Sequence, residues 1–378
     1  MIVKMNNFSI GDIVSCYCHL EKKYIKSVII DIKNGTNGFI HFPGYDKRND
    51  VWIELKSLRP YKEKKNSIDF ERPEIYLSDN EILHKDEPND LLDDFEQVHS
   101  NATRIRIIDR VFFGSFEIKT WYYSPYPYPV SQCNDIYICD HCAEYFMSQN
   151  ALNDHLERND ELKPPGKEIY RKGNISIFEL HGRLQKFTCQ CLCLLAKLFI
   201  DHKTLFYDVE GFLFYVLCEC DEKGAHIAAY FSKEIESDIG NILACIVVFP
   251  PYQQKGYGRL LISLSYELAK RMKKSGGPER PLSDLGALAF HSFWKDTIFE
   301  QLLGLNESFF CIENLVIRTS ICYRDLIDTL NKYGFLDPKL KDVNCIHPNW
   351  KEILEFFRMK KNSNHKIVDE KYLLWNND

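Results

Sequence analysis

The segment from Ala244 to Arg259 constrains the fold of this chain more than any other, because it joins an apolar strand to a helix through a glycine-bearing loop. Two prolines stop the apolar run after Phe249, and the loop that follows carries Gly256 and Gly258. Leucines then recur at the spacing of an amphipathic helix that begins near the second glycine: Leu260, Leu261, Leu264 and Leu268. The segment therefore predicts a buried strand, a tight loop and a helix.

The glycine loop has the character of a phosphate-binding site. Backbone N–H groups at a helix N-terminus lack acceptors and lie at the positive end of the helix dipole, where an anion is favoured. Glycine lets the chain turn tightly and lets a phosphate approach the backbone without a Cβ in the way. A plain turn is the alternative, since a Gly-x-Gly pattern by itself is weak. The segment matches neither a Walker loop nor the dinucleotide fingerprint, because the lysine (Lys255) precedes the glycine and a third glycine is missing.

Composition restricts the class of protein. The 378 residues are enough for two or three domains, and 45% hydrophobic with 27% charged residues is ordinary for a soluble globular protein. A net charge of −6 argues against general nucleic-acid binding, so we expect direct binding to be weak or absent. The same charge suits a lysine-rich substrate, although solubility explains it equally well. The 14 cysteines are scattered, and neither a signal peptide nor an apolar run of membrane-spanning length is found, so we expect reduced thiols and no membrane association.

Further motifs surround the glycine loop in a fixed order. They are Phe113–Pro127, Pro164–Arg171, Cys193–Leu205, Gly224–Ile227 with Tyr230–Glu234, and Pro278–Gly286. With Gln253-x-x-Gly256-x-Gly258, a pattern by which acetyltransferases hold the pyrophosphate of coenzyme A, this series resembles the MYST-family histone acetyltransferases. The resemblance runs from about residue 103 to the C-terminus. It implies a mixed α/β acetyltransferase core of the GNAT-like type over residues 98–378, in keeping with the alternating strand-like and helix-like segments.

The resemblance also implies a set of contacts to acetyl-CoA. The residues that it assigns are Ile246, Val247 and Val248 through their backbone groups, the loop residues Gln253, Gln254, Lys255, Gly256, Tyr257, Gly258 and Arg259, and the hydroxyls of Ser283 and Ser292. Arg259 would place a cation beside the pyrophosphate. The two serines can equally be helix caps, which is a common role of serine.

Two residues match catalytic positions of the family, and a third matches its autoacetylation site. Glu279, between two prolines, stands where the family has its general base, which is needed because a lysine amine is charged at neutral pH. Cys245 matches the active-site cysteine, which either carries the acetyl group or shapes the pocket; we favour direct attack by lysine, because a cysteine in an apolar run is usually inert. Lys203 matches the lysine that these enzymes acetylate on themselves, and acetylation would allow its burial.

The implied activity is transfer of the acetyl group of acetyl-CoA to lysines of histone tails. The resemblance further implies nucleosomes as substrates, other subunits of a histone acetyltransferase complex as partners, and a nuclear location. The alternative function is an acyl-CoA-binding pseudoenzyme or a scaffold of a chromatin complex. Retention of both Glu279 and Cys245 argues against that alternative, because a scaffold needs neither.

The N-terminal part, residues 7–62, predicts a small all-β barrel. Short β-like runs alternate with turn residues, and the segment Phe39–Ile53 resembles the chromo-barrel (tudor-knot) module of the same family. Five aromatic residues form either a cage for methyl-lysine or the core of the barrel, and we expect at least three in the core: Tyr17, Tyr24, Phe39, Phe42 and Trp52. Lys47 and Arg48 make only a weak phosphate-binding patch. Residues 63–97 are charged and predict a linker.

The segment 133–163 resembles the family's zinc finger but departs from it at one position. Cys139, Cys142 and His155 reproduce three zinc ligands, with the cysteines expected on a hairpin and the histidine on a helix. The fourth ligand is missing, since Asn159 stands where a cysteine is expected. Substitutes are conceivable, namely Cys133, Asp154 or Asp160, and packing by apolar residues alone can hold the shape: Tyr145, Phe146, Leu152 and Leu156. The sequence leaves open whether zinc is bound.

Overall fold

The structure is a computed structural model, and it describes residues 8–18, 22–42, 50–61, 107–159, 161–303, 312–336 and 366–375. The chain divides into two units, one of residues 1–108 with 121–127 and one of residues 109–120 with 128–378. The predicted linker, together with Lys47, Arg48 and Asp160, lies outside the described residues. Among the helices described, none has both the length and the hydropathy needed to cross a bilayer.

The first unit is built on an antiparallel sheet of five strands. In chain order the strands are β1 (Ile13–Cys18), β2 (Lys23–Lys33), β3 (Asn37–His41), β4 (Val51–Glu54) and β5 (Arg59–Pro60), and their spatial order is β4-β3-β2-β1-β5. The β2–β3 turn is possible because Asn34 and Gly35 adopt positive φ angles of 56° and 65°, which asparagine and glycine tolerate best. The β-rich prediction for this part is therefore confirmed for the described residues.

Alternating side chains of this sheet form a small core. Its fully buried members are Val14, Cys16, Cys18, Ile29, Ile40, Phe42 and Leu58. Of the five aromatic residues considered for a cage, only Phe39 and Phe42 are buried, each 3% exposed, whereas Tyr17 and Tyr24 are 39% and 41% exposed. Trp52 is half-buried and packs on Phe39. The expectation that at least three would fill the core is thus wrong, because the two tyrosines pair with each other on the outer face of neighbouring strands.

The second unit begins with a four-stranded sheet and one helix. Its strands are β6 (Arg110–Phe113), β7 (Phe116–Lys119), β8 (Asp135–Ile138) and β9 (Tyr145–Phe146), in the order β7-β6-β8-β9. Helix α1 (Gln149–Arg158) follows β9 and starts where Ser148 Oγ accepts a hydrogen bond of 3.3 Å from the Ala151 amide. The knuckle between β8 and β9 holds Cys139 and Cys142, and the helix carries His155, as the sequence predicts.

The main sheet of the second unit is antiparallel. Strands β10 (Lys167–Lys172), β11 (Ile175–His181), β12 (Phe212–Asp221) and β13 (Gly224–Glu234) pair in sequence order, and a later strand, β15 (Ile246–Val248), pairs with β13. The central strands carry buried side chains on both faces. Among them are Ile177, Phe178, Phe214, Tyr215, Tyr230 and Phe231. Each fully buried side chain of this size contributes about 1.5–3 kcal/mol, so these strands form a stable platform for the segments at their edge.

In the part of the chain that the structure describes, two short strands and five helices complete the second unit. Strands β14 (Asn241–Leu243) and β16 (Gly277–Pro278) form a separate parallel pair. The helices are α2 (Lys186–Lys197), α3 (Tyr257–Arg271), α4 (Asp284–Leu303), α5 (Ile312–Thr319) and α6 (Tyr323–Lys332). All four leucines that predicted the amphipathic face of α3 are at most 4% exposed. The predicted mixed α/β fold is confirmed.

Candidate active site

The glycine loop lies between β15 and α3. Residues 250–252 form a single 3₁₀ turn after Phe249, and Gly256 is the last residue before the helix. Gly256 has φ = 84° and ψ = 10°, a left-handed backbone conformation that residues other than glycine adopt only with strain. The four residues from Gln253 to Gly256 are exposed, so the loop is accessible to a ligand. Gly258 faces Val248 of β15, since a Cβ added there would lie 3.7 Å from a methyl group of that valine.

Among the described residues, the first turn of α3 presents backbone amides that have no acceptor within the helix. The first amide with a partner inside the helix is that of Leu260, which donates to the carbonyl of Gly256 over 3.2 Å. The amides that precede it have no helical acceptor, and glycine at the cap position has no side chain to occupy them. They remain available at the positive end of the helix, which is the arrangement that binds phosphate. The local structure therefore supports the phosphate-binding interpretation of the loop.

A carboxylate that the sequence analysis missed faces this loop. Glu219 of β12 accepts a hydrogen bond of 2.7 Å from Lys255 Nζ and a second one from the Tyr257 hydroxyl. Burial alone would raise the pKa of the Glu219 carboxyl, but these two hydrogen bonds and the charges of Lys255 and Lys366 together outweigh burial and hold the pKa below its ordinary value. Lys366 also lies at the loop, with its Nζ 4.5 Å from the ring centre of Tyr257. The charge of the loop thus depends on groups far away in the sequence.

Two predicted cofactor residues contact each other. Arg259 donates from Nη1 to Ser292 Oγ over 3.1 Å and from Nη2 to Asp296 Oδ2 over 2.7 Å. Both members of the ion pair are largely buried, with 13% and 15% of their side chains exposed. The positive charge of Arg259 is therefore shared with a carboxylate of α4, and its guanidinium braces α3 against that helix.

Ser283 acts as a helix cap, one of the two roles that the sequence left open. Its Oγ accepts a hydrogen bond of 3.1 Å from the Gly286 amide, and its carbonyl accepts one from Ala287 at the start of α4. Serine side chains satisfy helix N-termini in this way. The hydroxyl remains exposed, so capping does not bury it.

The parallel pair of β14 and β16 brings the candidate base to the candidate cysteine. The Glu279 amide donates a hydrogen bond of 2.8 Å to the Leu243 carbonyl, and Leu243 lies two residues before Cys245. Cys245 is itself fixed to β13, because its carbonyl accepts from the Ser232 amide over 2.8 Å and its amide donates to Ser232 Oγ over 3.3 Å. Glu279 is exposed and Cys245 is half-buried, so both are placed at a surface.

The loop of Glu279 is anchored on its other side by an ion pair. Arg280 donates to the carboxylate of Asp325, which is only 2% exposed at the start of α6. Gly277 leaves the room for that carboxylate, since a Cβ at this position would lie 2.5 Å from Asp325 Oδ2. The loop is therefore fixed both by strand pairing and by a salt bridge to a buried carboxylate, and neither contact was foreseen from the sequence.

Lys203 lies in a buried cluster behind Cys245. It is 6% exposed, and among the described residues neither its Nζ nor the hydroxyl of Tyr230 has a nitrogen or oxygen partner. The side chains that interact with the lysine are the thiols of Cys193 and Cys245. Burial raises the pKa of the Cys193 thiol. Burial disfavours the charged form of Lys203, but the two thiols oppose this effect and hold its pKa above the ordinary value, so the unmodified lysine is a buried cation.

The three predicted metal ligands of the knuckle converge. The ligand atoms of Cys139, Cys142 and His155 all lie within 4.8 Å of one another, and Cys142 Sγ is 3.4 Å from His155 Nε2. A hydrogen bond from Cys142 lowers the pKa of the Cys139 thiol to about 6, against the effect of burial. The outer nitrogen of the histidine, Nδ1, is 3.6 Å from Glu144 Oε2. Two thiols, an imidazole and an outer carboxylate are a donor set that fits zinc.

Among the described residues, no fourth side chain joins these three as a metal ligand. The Asn159 side-chain oxygen accepts a hydrogen bond of 3.2 Å from the Glu161 amide. Asn159 and Asp154 both line an open cavity of about 610 Å³ beside Cys142 and His155. Cys133 does not belong to the converging group among the described residues. If a metal were bound by these three side chains, the open cavity beside them would leave room for water at the last coordination position.

Two family descriptions match the chain. Residues 163–373 match the MOZ/SAS family, and residues 105–158 match the MYST family zinc finger domain. The first match covers the main sheet, the glycine loop and helices α2 to α6, and the second covers the four-stranded sheet and α1. The boundary between the two matches lies between α1 and β10, the first strand of the main sheet.

Curated relatives agree with these matches. The histone acetyltransferase of the MYST family 1 of Arabidopsis thaliana is 36% identical over 357 residues, which cover 90% of this chain and 79% of that protein. Histone acetyltransferase MOF of Drosophila melanogaster is 42% identical over 282 residues, covering 74% and 34%. Histone acetyltransferase esa1 of Emericella nidulans is 48% identical over 233 residues, covering 62% and 46%. The chain thus spans most of the plant relative but less than half of the other two.

Proposed function

The chain belongs to the MYST family of histone acetyltransferases, and from this membership we infer that it transfers the acetyl group of acetyl-CoA to lysine side chains of histones. The observation that carries the inference is the hydrogen bond between the Glu279 amide and the Leu243 carbonyl. This bond joins the backbone of Glu279, whose side chain is the carboxylate, to the segment that leads through Cys245 into the glycine loop. Base, cysteine and phosphate-binding loop therefore belong to one continuous structural unit.

The proposed reaction is direct attack of the lysine amine on the thioester of acetyl-CoA. A lysine amine has an ordinary pKa near 10.4, so a base must take one proton before nitrogen can attack. We assign this role to Glu279. The nitrogen then forms a bond to the carbonyl carbon, and the carbon–sulfur bond breaks to release coenzyme A as a thiolate. The proton held by Glu279 neutralises the thiolate, directly or through water, and the nitrogen releases its second proton to solvent as the amide forms.

Acetyl-CoA is proposed to lie along β15 and the glycine loop. Backbone groups of Ile246–Val248 and the exposed residues from Gln253 to Gly258 are its proposed contacts. The free amides of the first turn of α3 support this assignment, because they can hold the pyrophosphate without a charged side chain. The contacts of Arg259 with Ser292 and Asp296 support a role for this arginine in fixing α3 rather than in pairing alone with the phosphate.

Cys245 and Lys203 are proposed to support the reaction without carrying the acetyl group. Cys245 shapes the pocket wall next to Glu279, and its backbone hydrogen bonds to Ser232 favour a fixed position. Lys203 is proposed to be acetylated by the enzyme itself. Its burial without a nitrogen or oxygen partner supports this proposal, since acetylation removes the charge.

The knuckle is proposed to hold zinc through Cys139, Cys142 and His155. Glu144 would orient the histidine through its outer nitrogen, as acceptors near metal-bound histidines commonly do. The fourth ligand would be water from the adjacent cavity, because the Asn159 oxygen is engaged by the Glu161 amide. When bound, the metal would stabilise the knuckle against α1 and would take no part in acetyl transfer.

The N-terminal unit is proposed to be a chromo-barrel over residues 7–62, separated by the linker 63–97 from the acetyltransferase region 98–378. Its five-stranded antiparallel sheet supports this proposal. We propose a targeting or assembly role on nucleosomes in the nucleus, within a complex of other subunits. The acetyltransferase region is proposed to have a GNAT-like core, which the antiparallel main sheet with its glycine loop supports.

Radiolabelled acetyl-CoA, incubated with purified histones and with nucleosomes, tests the proposed activity. The wild type is expected to label histone lysines, and Glu279→Gln is expected to bind acetyl-CoA while losing most of the transfer. Glu236→Gln is a matched control. Like Glu279 this glutamate is exposed, but it precedes β14 in the sequence, whereas Glu279 follows it. A wild type that binds acetyl-CoA yet labels no histone would support the pseudoenzyme or scaffold instead.

A further inference from the structure

A second group of metal-ligating side chains lies outside the finger and the acetyl-transfer site. Asp140 and His141 occupy the two positions between Cys139 and Cys142, and His226 belongs to β13 of the main sheet. One ligand atom from each of Asp140, His141 and His226 lies within 4.8 Å of the other two. The group is largely shielded from solvent, with side-chain exposures of 14%, 7% and 18%. Neither the family's finger nor the proposed mechanism uses these residues.

Both histidines are held by their outer nitrogens. His141 Nδ1 is 2.9 Å from the Ala225 carbonyl, which can only accept, so in the neutral imidazole this nitrogen carries the hydrogen and Nε2 has the lone pair. His226 Nε2 is 2.9 Å from Asp221 Oδ1. Metal-bound histidines are oriented in this manner, by a backbone carbonyl or a carboxylate on the nitrogen that does not bind the metal.

The inner nitrogens converge on one carboxylate. His226 Nδ1 lies 2.8 Å from Asp140 Oδ2, and His141 Nε2 lies 3.7 Å from Asp140 Oδ1. A zinc ion bonds to imidazole nitrogen and carboxylate oxygen at about 2.0–2.2 Å, which places neighbouring ligand atoms roughly 3.3 Å apart. The two observed separations lie on either side of that value, at the two different oxygens of the Asp140 carboxylate.

Two glycines make room for this group. Gly114, with φ = 56°, lies at the β6–β7 turn, where an added Cβ would clash with Asp140 Oδ2. Gly224, with φ = 130°, begins β13, and a Cβ there would lie 3.2 Å from His141 Cε1. The Asp140 carbonyl also accepts a hydrogen bond of 2.7 Å from the Ile227 amide. Three segments of the second unit thus close around Asp140 and His141.

We propose that Asp140, His141 and His226 form a second metal site, separate from the finger ligands, that takes a divalent ion of the zinc class. Two imidazoles and one carboxylate are ligands that zinc accepts, and the remaining position is left for water. The ion links the knuckle to β13, a strand of the main sheet, and so stabilises the second unit at this point. This proposal does not depend on acetyl transfer.

Cobalt substitution distinguishes the two sites, because a cobalt–thiolate bond gives a near-ultraviolet charge-transfer band that a nitrogen–oxygen site lacks. Chelator-stripped full-length protein is reloaded with Co²⁺ alone, and bound metal is counted by elemental analysis. Relative to the wild type, His141→Ala is expected to lose one equivalent of cobalt with the thiolate band unchanged. His202→Ala is the matched control and should lose none, since this histidine is 96% exposed.

Asp140→Asn gives an independent comparison if His141→Ala does not fold, because it keeps the size of the side chain and removes the charge. It too is expected to lose one equivalent. In the double variant Cys139→Ser with Cys142→Ser, one equivalent should remain without a thiolate band. Equal cobalt content in the wild type and in a folded variant of His141 or Asp140 would overturn the proposal and leave a hydrogen-bond network only.

Discussion

The amide of Glu279 donates a 2.8 Å hydrogen bond to the carbonyl of Leu243, across the short parallel pair of β14 and β16. The two residues are far apart in the sequence, yet this bond fixes the backbone of the candidate base beside β14, which is followed directly by the link that contains Cys245. On the other side the base is followed by Arg280, which is paired with the buried carboxylate of Asp325. A base held from both sides loses little freedom when substrate binds, which favours catalysis.

Glu279→Gln should lower kcat by about 10²–10⁴-fold near neutral pH, which is the usual contribution of a general base. The loss should shrink as the pH approaches the ordinary lysine pKa near 10.4, because more of the substrate amine is then already neutral. Steady-state kinetics from pH 7 to 10 on a histone peptide checks this. A loss that is independent of pH would contradict the assignment of Glu279 as the base.

Cys245→Ala should lower kcat far less than Glu279→Gln, because lysine is proposed to attack the thioester directly. Mass spectrometry of the wild type mixed with acetyl-CoA alone should find no acetyl group on this cysteine. Cys193→Ala, a change at a buried neighbouring thiol, is the matched control for packing effects. Inactivation confined to Cys245→Ala, with an acetyl-enzyme at that residue, would show that a covalent route operates.

Gly256→Glu should abolish binding of acetyl-CoA. The new side chain adds a negative charge at the pyrophosphate position, and its left-handed conformation costs about 1–2 kcal/mol. Gly173→Glu is the control, because Gly173 also has a positive φ of 60° with no neighbour within 4 Å among the described residues. Titration calorimetry should show lost affinity for the first variant alone. Unchanged affinity would mean that the loop is only a turn.

Glu219→Gln should remove a pH-dependent part of the stability. The folded pKa of Glu219 is depressed, so its carboxylate stabilises the fold above the unfolded pKa of about 4.3, and this stabilisation is lost as the pH falls through the folded pKa. Because a quarter of the side chain is exposed, we expect a loss below about 1 kcal/mol at pH 7. Urea unfolding at pH 7 and pH 4 checks this; an equal loss at both would contradict it.

Deletion of residues 1–62 should leave acetylation of free histones largely intact and reduce acetylation of nucleosomes. The reason is that the N-terminal unit has its own sheet and core, so the acetyltransferase region keeps its packing. The double variant Tyr17→Ala with Tyr24→Ala, which removes the exposed ring pair, tests whether those rings bind the target. Equal loss on both substrates would show that the unit belongs to the catalytic fold.

Much of the candidate site could be predicted from the sequence because it is local. The leucines of α3 repeat with the period of one helix, and the glycines of its loop lie within the same short segment. The spacing of Cys139, Cys142 and His155 likewise placed the knuckle and its helix correctly. Local patterns of this kind depend on backbone geometry over a few residues, which the sequence specifies directly.

Only the tertiary structure decided which partners the charged groups have. Arg259 pairs with Asp296, Lys255 with Glu219, and His226 with Asp140, across separations of 37, 36 and 86 residues. A charge pattern along the chain does not reveal such pairs, because they form only after the sheet and helices have packed. For this reason the sequence by itself determined the family, the loop and the spacing of Cys139, Cys142 and His155, whereas packing decided that Arg259 braces a helix and that Asp140 faces two histidines.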